Sequence, residues 1–226
     1  MPHDSGRAPE LREDMQRLRR AFLLSLAFAA ALWWIKMIEV LVPIDLIAYG
    51  VYPRTLSGLP GILTAPFIHG SLGHLAANTP PIIILGTALL YGYPRSARLV
   101  IPALLVGTGV GVWLFGRESY HVGASGLTTG VLFFILTIGV LRWDRRAIGL
   151  ALAVFLLYGG MIWGVFPSSP EISYESHLAG AVIGVALALL LRNRDPGPVR
   201  RYSWEEESEA SDAPDAEERP PQSGPP

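Results

Sequence analysis

Six apolar blocks, each long enough to cross a bilayer as a helix, leave this chain little choice of architecture. They cover residues 21–43, 75–91, 99–115, 123–141, 148–166 and 174–191. A helix rises about 1.5 Å per residue, so some 18 to 20 apolar residues span the ~30 Å hydrocarbon core, where every backbone polar group must bond within its own segment. Half of the residues are apolar and only 16% are charged, the composition of a chain solvated by lipid. The sequence predicts an all-α fold, a polytopic membrane helical bundle of six transmembrane helices.

The basic residues orient that bundle, because Lys and Arg accumulate on the cytoplasmic side of short loops. Arg7, Arg12, Arg17, Arg19 and Arg20 precede the first block, Arg95 and Arg98 follow the second, Arg142, Arg145 and Arg146 follow the fourth, and Arg192, Arg194, Arg200 and Arg201 follow the sixth. The opposite loops carry only Arg54 and Arg117. Both termini are therefore predicted to be cytoplasmic. The net charge of −1 conceals this segregation and gives no support to nucleic-acid binding.

The first block continues through Trp33-Trp34-Ile35, too long for a signal-peptide core despite the Ala27-Phe28-Ala29 triplet. Residues 1–20 read as a basic helical cytoplasmic arm containing His3, residues 21–192 as one membrane domain, and residues 195–226, rich in Pro, Ser, Glu and Asp, as a disordered acidic tail. The loop from Asp45 to Gly73 carries turn signals at Tyr52-Pro53-Arg54 and Leu59-Pro60-Gly61 among apolar residues, which places it in the outer interface. Lys36 and Glu39, at helical spacing near the outer end of the first block, read as a partly buried ion pair or as snorkelling side chains. The absence of cysteine excludes disulfides, thiol nucleophiles and thiolate metal sites.

Chemistry is concentrated where the even-numbered spans enter from outside. The fourth opens with His121-Val-Gly123-Ala-Ser125-Gly126, the sixth with Ser176-His177-Leu-Ala-Gly180, and the second contains His74 and Asn78, four apart and hence on one helix face. A serine hydroxyl needs a base within reach, and an acyl-transfer oxyanion needs N–H donors, which an imidazole, a carboxamide and the serine's own amide can supply. Any one of these groups alone is better read as satisfying a neighbour across a packing interface. Four at matched depth point to one shared pocket, since polar groups in hydrocarbon are costly. Gly126 with Gly130 and Gly180 with Gly184 repeat at small-xxx-small spacing, which permits close approach of the fourth and sixth helices.

Other candidates weigh less. His69 reads as a brace for the preceding loop and His121 as a solvated interfacial histidine. Glu175 lies on a different face from His177, and Glu118 and Glu171 fall in loops, so the expected unit is a Ser-His dyad without a carboxylate. Gly107, Gly109 and Gly111 lie mid-span with no strand before them, which excludes a nucleotide loop. A metal site built from His69, His74 and His177 would leave Gly-Ala-Ser-Gly unexplained, so neither metal nor cofactor is expected.

These elements resemble the rhomboid family of intramembrane serine proteases: His69, then His74 with Asn78, then Gly123-Ala124-Ser125-Gly126, then His177 with Gly180 and Gly184, in family order over residues 52–191. The resemblance implies Ser125 as nucleophile, His177 as base and then acid, and His74, Asn78 and the Ser125 amide as oxyanion donors. It implies a cap over the site from Phe166 to Tyr174, with Pro167 and Pro170, and a fifth span serving as substrate gate. The partners would be transmembrane protein substrates in a bacterial inner membrane. Thr129 stands where many bacterial members carry an aromatic residue against the histidine ring, and Tyr52-Pro53-Arg54 where a Trp-Arg pair is frequent. The rival from another class is a non-catalytic relative that binds transmembrane helices and controls their stability or trafficking. A transporter would show inverted repeats or midplane charges, and the sequence has neither.

Overall fold

In a computed structural model, residues 7–42, 44–167, 169 and 172–195 are described. The described residues form an all-helical bundle of α1 (Arg7–Leu41), α2 (Gly61–Thr64), α3 (Leu72–Gly92), α4 (Pro94–Phe115), α5 (Ser125–Arg142), α6 (Arg145–Tyr158) and α7 (Tyr174–Leu191). Six segments are long and apolar enough to cross a membrane: Leu11–Leu41, Leu72–Gly92, Pro94–Phe115, Ser125–Arg142, Arg145–Val165 and Tyr174–Leu191. The six expected spans are thus present, and the first helix extends back into the basic arm. His3, Pro43, Pro170 and Glu171 lie outside the described residues, as does the expected acidic tail apart from Asp195.

Local sequence sets the helix starts. The side chains of Ser71, Asp144 and Ser173 cap α3, α6 and α7 by accepting from the amides of His74, Ala147 and Ser176. Pro94, at the first position of α4, fits a site where no amide is needed, so Tyr93 alone joins α3 to α4. At the same end, Asp195 accepts from the amides of Arg95 and Ser96 at 2.9 and 2.8 Å, tying the chain after α7 to the start of α4.

The most buried helix is α5. Leu132, Phe134, Ile135 and Ile138 are inaccessible and pack with Leu85 and Leu89 of α3, Val100 and Leu104 of α4, Val154 of α6 and Ala188 of α7. In lipid such packing is held by van der Waals contact and close backbone approach rather than by expulsion of water. The small residues act accordingly. A Cβ on Gly180 would strike the Gly126 carbonyl, one on Gly184 the Gly130 carbonyl, and one on Gly130 would lie 2.9 Å from the Gly180 oxygen. The helices α5 and α7 therefore meet backbone to backbone.

On the other side, α1 packs on α3 through Ala29, Leu32, Leu75 and Ile82. Polar links reinforce this pairing: Trp33 Nε1 donates to Thr79 Oγ1 at 3.0 Å, and Lys36 Nζ donates to Glu39 at 2.9 Å and to the His69 carbonyl at 2.8 Å. The expected Lys36–Glu39 ion pair is therefore present, with both side chains about one-tenth exposed.

The loop between α1 and α3 folds as short helical turns against α4. Trp113 Nε1 donates to the Thr55 carbonyl, the Arg54 amide to the Trp113 carbonyl, and the Gly123 amide to the Ala65 carbonyl, at 2.8 to 2.9 Å. Val51 and His121 exchange both backbone hydrogen bonds.

Candidate active site

A cavity of about 800 Å³ opens at the end of the bundle where α3, α5 and α7 begin, and His74, Asn78, Ser125 and His177 all line it. The shared pocket expected from sequence exists as geometry. His69 does not line it.

Ser125 is the first residue of α5, and the first ladder bond runs from the Thr128 amide to the Ala124 carbonyl. The Ser125 amide thus belongs to the turn whose N–H groups have no helical acceptor, the donors a helix start offers to an anion. Gly123 creates this start. Its φ of +110° is the left-handed region that favours glycine, and a Cβ there would lie 2.8 to 2.9 Å from Cε1 and Nε2 of His74. The imidazole of His74 therefore rests against the turn that carries the serine.

Asn78 is buried and donates one amide hydrogen to the His74 carbonyl at 2.9 Å, which leaves the second hydrogen for the cavity. Two and three residues on, Pro80 and Pro81 lack the amides that would bond the carbonyls of Ala76 and Ala77. Ala77 and Pro81 line the cavity, where water can satisfy the released acceptor.

His177 is held in a way the sequence did not disclose. Its Nδ1 lies 3.0 Å from the Gly164 carbonyl, which can only accept, so Nδ1 carries the proton and Nε2 keeps its lone pair. The carbonyl is available because the fifth span ends in a 3-10 stretch, Gly159–Val165, rather than an α-helix. A Cβ on Gly164 would lie 2.6 Å from Nδ1, so glycine lets the backbone approach the ring. The run Gly159-Gly160 with Gly164 was the available signal. Thr129 is fully buried, with no hydrogen bond to its hydroxyl.

The structure corrects the reading of His121 as a solvated histidine. It is 3% exposed, with Nδ1 2.6 Å from Ser173 Oγ and Nε2 3.0 Å from the Arg117 carbonyl. The α4–α5 loop folds back over it, because Arg117 bonds the Ile172 carbonyl and pairs with Glu175 at 3.7 Å. Glu175 faces away from the cavity as expected, but it is buried by that ion pair. Glu118 remains exposed, 3.9 Å from Arg54.

His69 is 1% exposed and sets its ring edge-on to His74, with centroids 5.1 Å apart. Burial first, then the neighbouring His74 and Lys36, lowers its pKa to about 4. Among the described residues no group of three or more His, Asp or Glu is placed to hold a metal ion.

Six membrane-length helices, with a cavity bordered by His74, Asn78, Ser125 and His177 at one end, are those of a multi-pass membrane protein. The chain belongs to the rhomboid family: the family model for the rhomboid domain matches residues 57–194, more than half of the chain. An uncharacterized protein of Mycobacterium tuberculosis is 36% identical over 176 residues, covering 74% of this chain and 73% of the relative. The chloroplastic Rhomboid-like protein 11 of Arabidopsis thaliana is 32% identical over 146 residues, 57% of this chain and 51% of its own. RHOMBOID-like protein 2 of the same plant is 26% identical over 149 residues, 64% and 44% of the two chains.

Proposed function

We infer that the protein is an intramembrane serine endopeptidase that cleaves transmembrane segments of other membrane proteins near their outer ends, with both of its own termini in the cytoplasm. The observation that carries this reading is the single cavity shared by Ser125, His177, His74 and Asn78. In the reaction, Ser125 Oγ attacks the scissile carbonyl and its proton passes to Nε2 of His177. The Nδ1–H bond to Gly164 holds the ring in the tautomer that can accept it.

Negative charge then gathers on the former carbonyl oxygen, opposite the Ser125 amide, the free hydrogen of Asn78 and the His74 imidazole. Donors fixed in a site screened from bulk water stabilise such charge without reorganising, and one of them is commonly worth about 10²–10³ in rate. Collapse expels the amine, which takes the proton from His177 and leaves Ser125 acylated. Water entering from the outer side gives a proton to His177 as it adds to the acyl carbon; the bond to Ser125 Oγ then breaks, the acid leaves and Oγ takes the proton back from His177. The substrate helix must unwind first, because a peptide bond within a helix presents its carbonyl to its own ladder.

The test is labelling with a fluorophosphonate, in which Ser125 Oγ displaces fluoride at phosphorus. It is run beside cleavage of a transmembrane substrate in liposomes. Wild type is expected to react, Ser125→Ala to lose both signals, and His177→Ala to lose at least about 10³-fold. A folded wild-type protein that neither labels nor cleaves would refute the reading and leave helix binding without catalysis.

A further inference from the structure

The pair formed by buried His121 and half-buried Ser173 takes no part in the reaction just described, yet its place in the fold is specific. His121 lies four residues before Ser125 and Ser173 four before His177. Each lies just outside its helix, His121 before the turn that starts α5 and Ser173 as the N-cap of α7. Between these levels and the middle of the bundle, Gly126 meets Ser176 and Gly180, and Gly130 meets Gly180 and Gly184, backbone against backbone. Such glycine faces set how closely two helices approach. At these positions carbonyls seat against glycines with no side chain between them, so a hydrogen bond across the helix ends adds a directional link to the contact.

The acceptor beside Nε2 sets the tautomer taken for His121. The Arg117 carbonyl can only accept, so Nε2 of His121 donates to it and Nδ1 is an acceptor. Ser173 has a single hydroxyl proton. His121 Nδ1 at 2.6 Å takes it in preference to Glu175 at 3.5 Å. Ser173 Oγ then receives the Ser176 amide, as the cap of α7, and the Ser176 hydroxyl at 2.7 Å. On the other side, His121 is fixed through its backbone to Val51. A continuous set of bonds therefore runs from the loop before α5 into the first turn of α7.

We propose that His121 and Ser173 are positioning residues whose hydrogen bond fixes the axial register of α7 against α5, and with it the placement of His177 on Ser125. The proposal rests on the Ser125–His177 reading above. A lone cap would order α7 without relating it to α5. This bond relates them, at the end of the bundle where the glycine contact between the two helices begins.

The experiment compares wild type, His121→Phe, Ser173→Ala, Ser173→Thr and the double variant His121→Phe/Ser173→Ala in liposomes. It reads the fluorophosphonate labelling rate of Ser125, kcat and KM for a transmembrane substrate, the thermal midpoint, and the 15N shifts of His177. His121→Phe keeps the α7 cap and removes the cross-link together with the bond to the Arg117 carbonyl, while Ser173→Ala leaves the latter in place. Both single variants are expected to slow labelling and kcat by about 10- to 100-fold with KM changed less than about threefold, the signature of a displaced reactive group. The double variant should be no slower than the slower single one, since both remove the same bond. Ser173→Thr, which keeps the hydroxyl, should recover most of the rate, and the His177 resonances should move in Ser173→Ala.

Wild-type labelling rates in the folded single variants, losses that multiply in the double variant, or Ser173→Thr as slow as Ser173→Ala would each overturn the proposal. If His121→Phe does not fold, His121→Leu carries the same expectation. Labelling that does not depend on Ser125 would instead refute the catalytic reading. The 15N arm then decides separately, with His177 unmoved by Ser173→Ala counting against the pin.

Discussion

Replacing Gly180 by alanine tests how the helix contact governs the site. The added Cβ would run into the Gly126 carbonyl and lie 3.0 Å from its carbon and 3.2 Å from the Gly130 amide nitrogen. Carbon contacts settle near 3.5–4.0 Å, so α7 must retreat from α5 by on the order of 1 Å. Overpacking of this kind costs about 1–3 kcal/mol, and a 1 Å displacement of a catalytic group costs about 10²-fold in rate. Gly180→Ala should therefore lower the thermal midpoint in liposomes and depress fluorophosphonate labelling about 100-fold, because Ser125 and His177 ride on the two separated helices. The control is Gly149→Ala on α6, where the new Cβ meets nothing within 4 Å. It should label like wild type and gain up to about 1 kcal/mol from helix propensity. A Gly180→Ala protein that labels at the wild-type rate would falsify the idea that this backbone contact sets the geometry of the site.

Three further outcomes are expected. Gly123→Ala forces an L-residue to φ +110° and drives its Cβ onto His74, so cleavage should fall at least about 100-fold while substrate binding, measured by cross-linking to Ser125→Ala, changes little. Lys36→Met leaves Glu39 buried and unpaired and should cost about 3–5 kcal/mol in unfolding titrations, whereas Lys36→Met/Glu39→Gln should cost less. His69, with its folded pKa lowered to about 4 against 6.5 in the unfolded chain, makes the unfolded state bind more protons between those values. Its contribution is complete above pH 6.5 and is lost as pH falls toward 4, by about 3 kcal/mol in all, so His69→Phe should flatten the stability curve over that window.

The sequence by itself determined the elements and which of them carry the candidate site residues. Apolar blocks of membrane length fixed six helices, because an unbonded backbone is too costly in lipid to allow another solution. The four-residue spacing of His74 and Asn78 put both on one face, and alternating spans brought Ser125 and His177 to the same end. What it left open was set by contacts between segments far apart in the chain. His121 reads as an ordinary interfacial histidine until Ser173, 52 residues later, is seen 2.6 Å from its ring. The orientation of His177 depends on the Gly164 carbonyl, released only because the fifth span ends in a 3-10 stretch. Periodicity records which face a residue occupies and how deep it lies. The register of one helix against another depends on carbonyls meeting glycines and on single hydrogen bonds across the gap, and only the tertiary structure decides those.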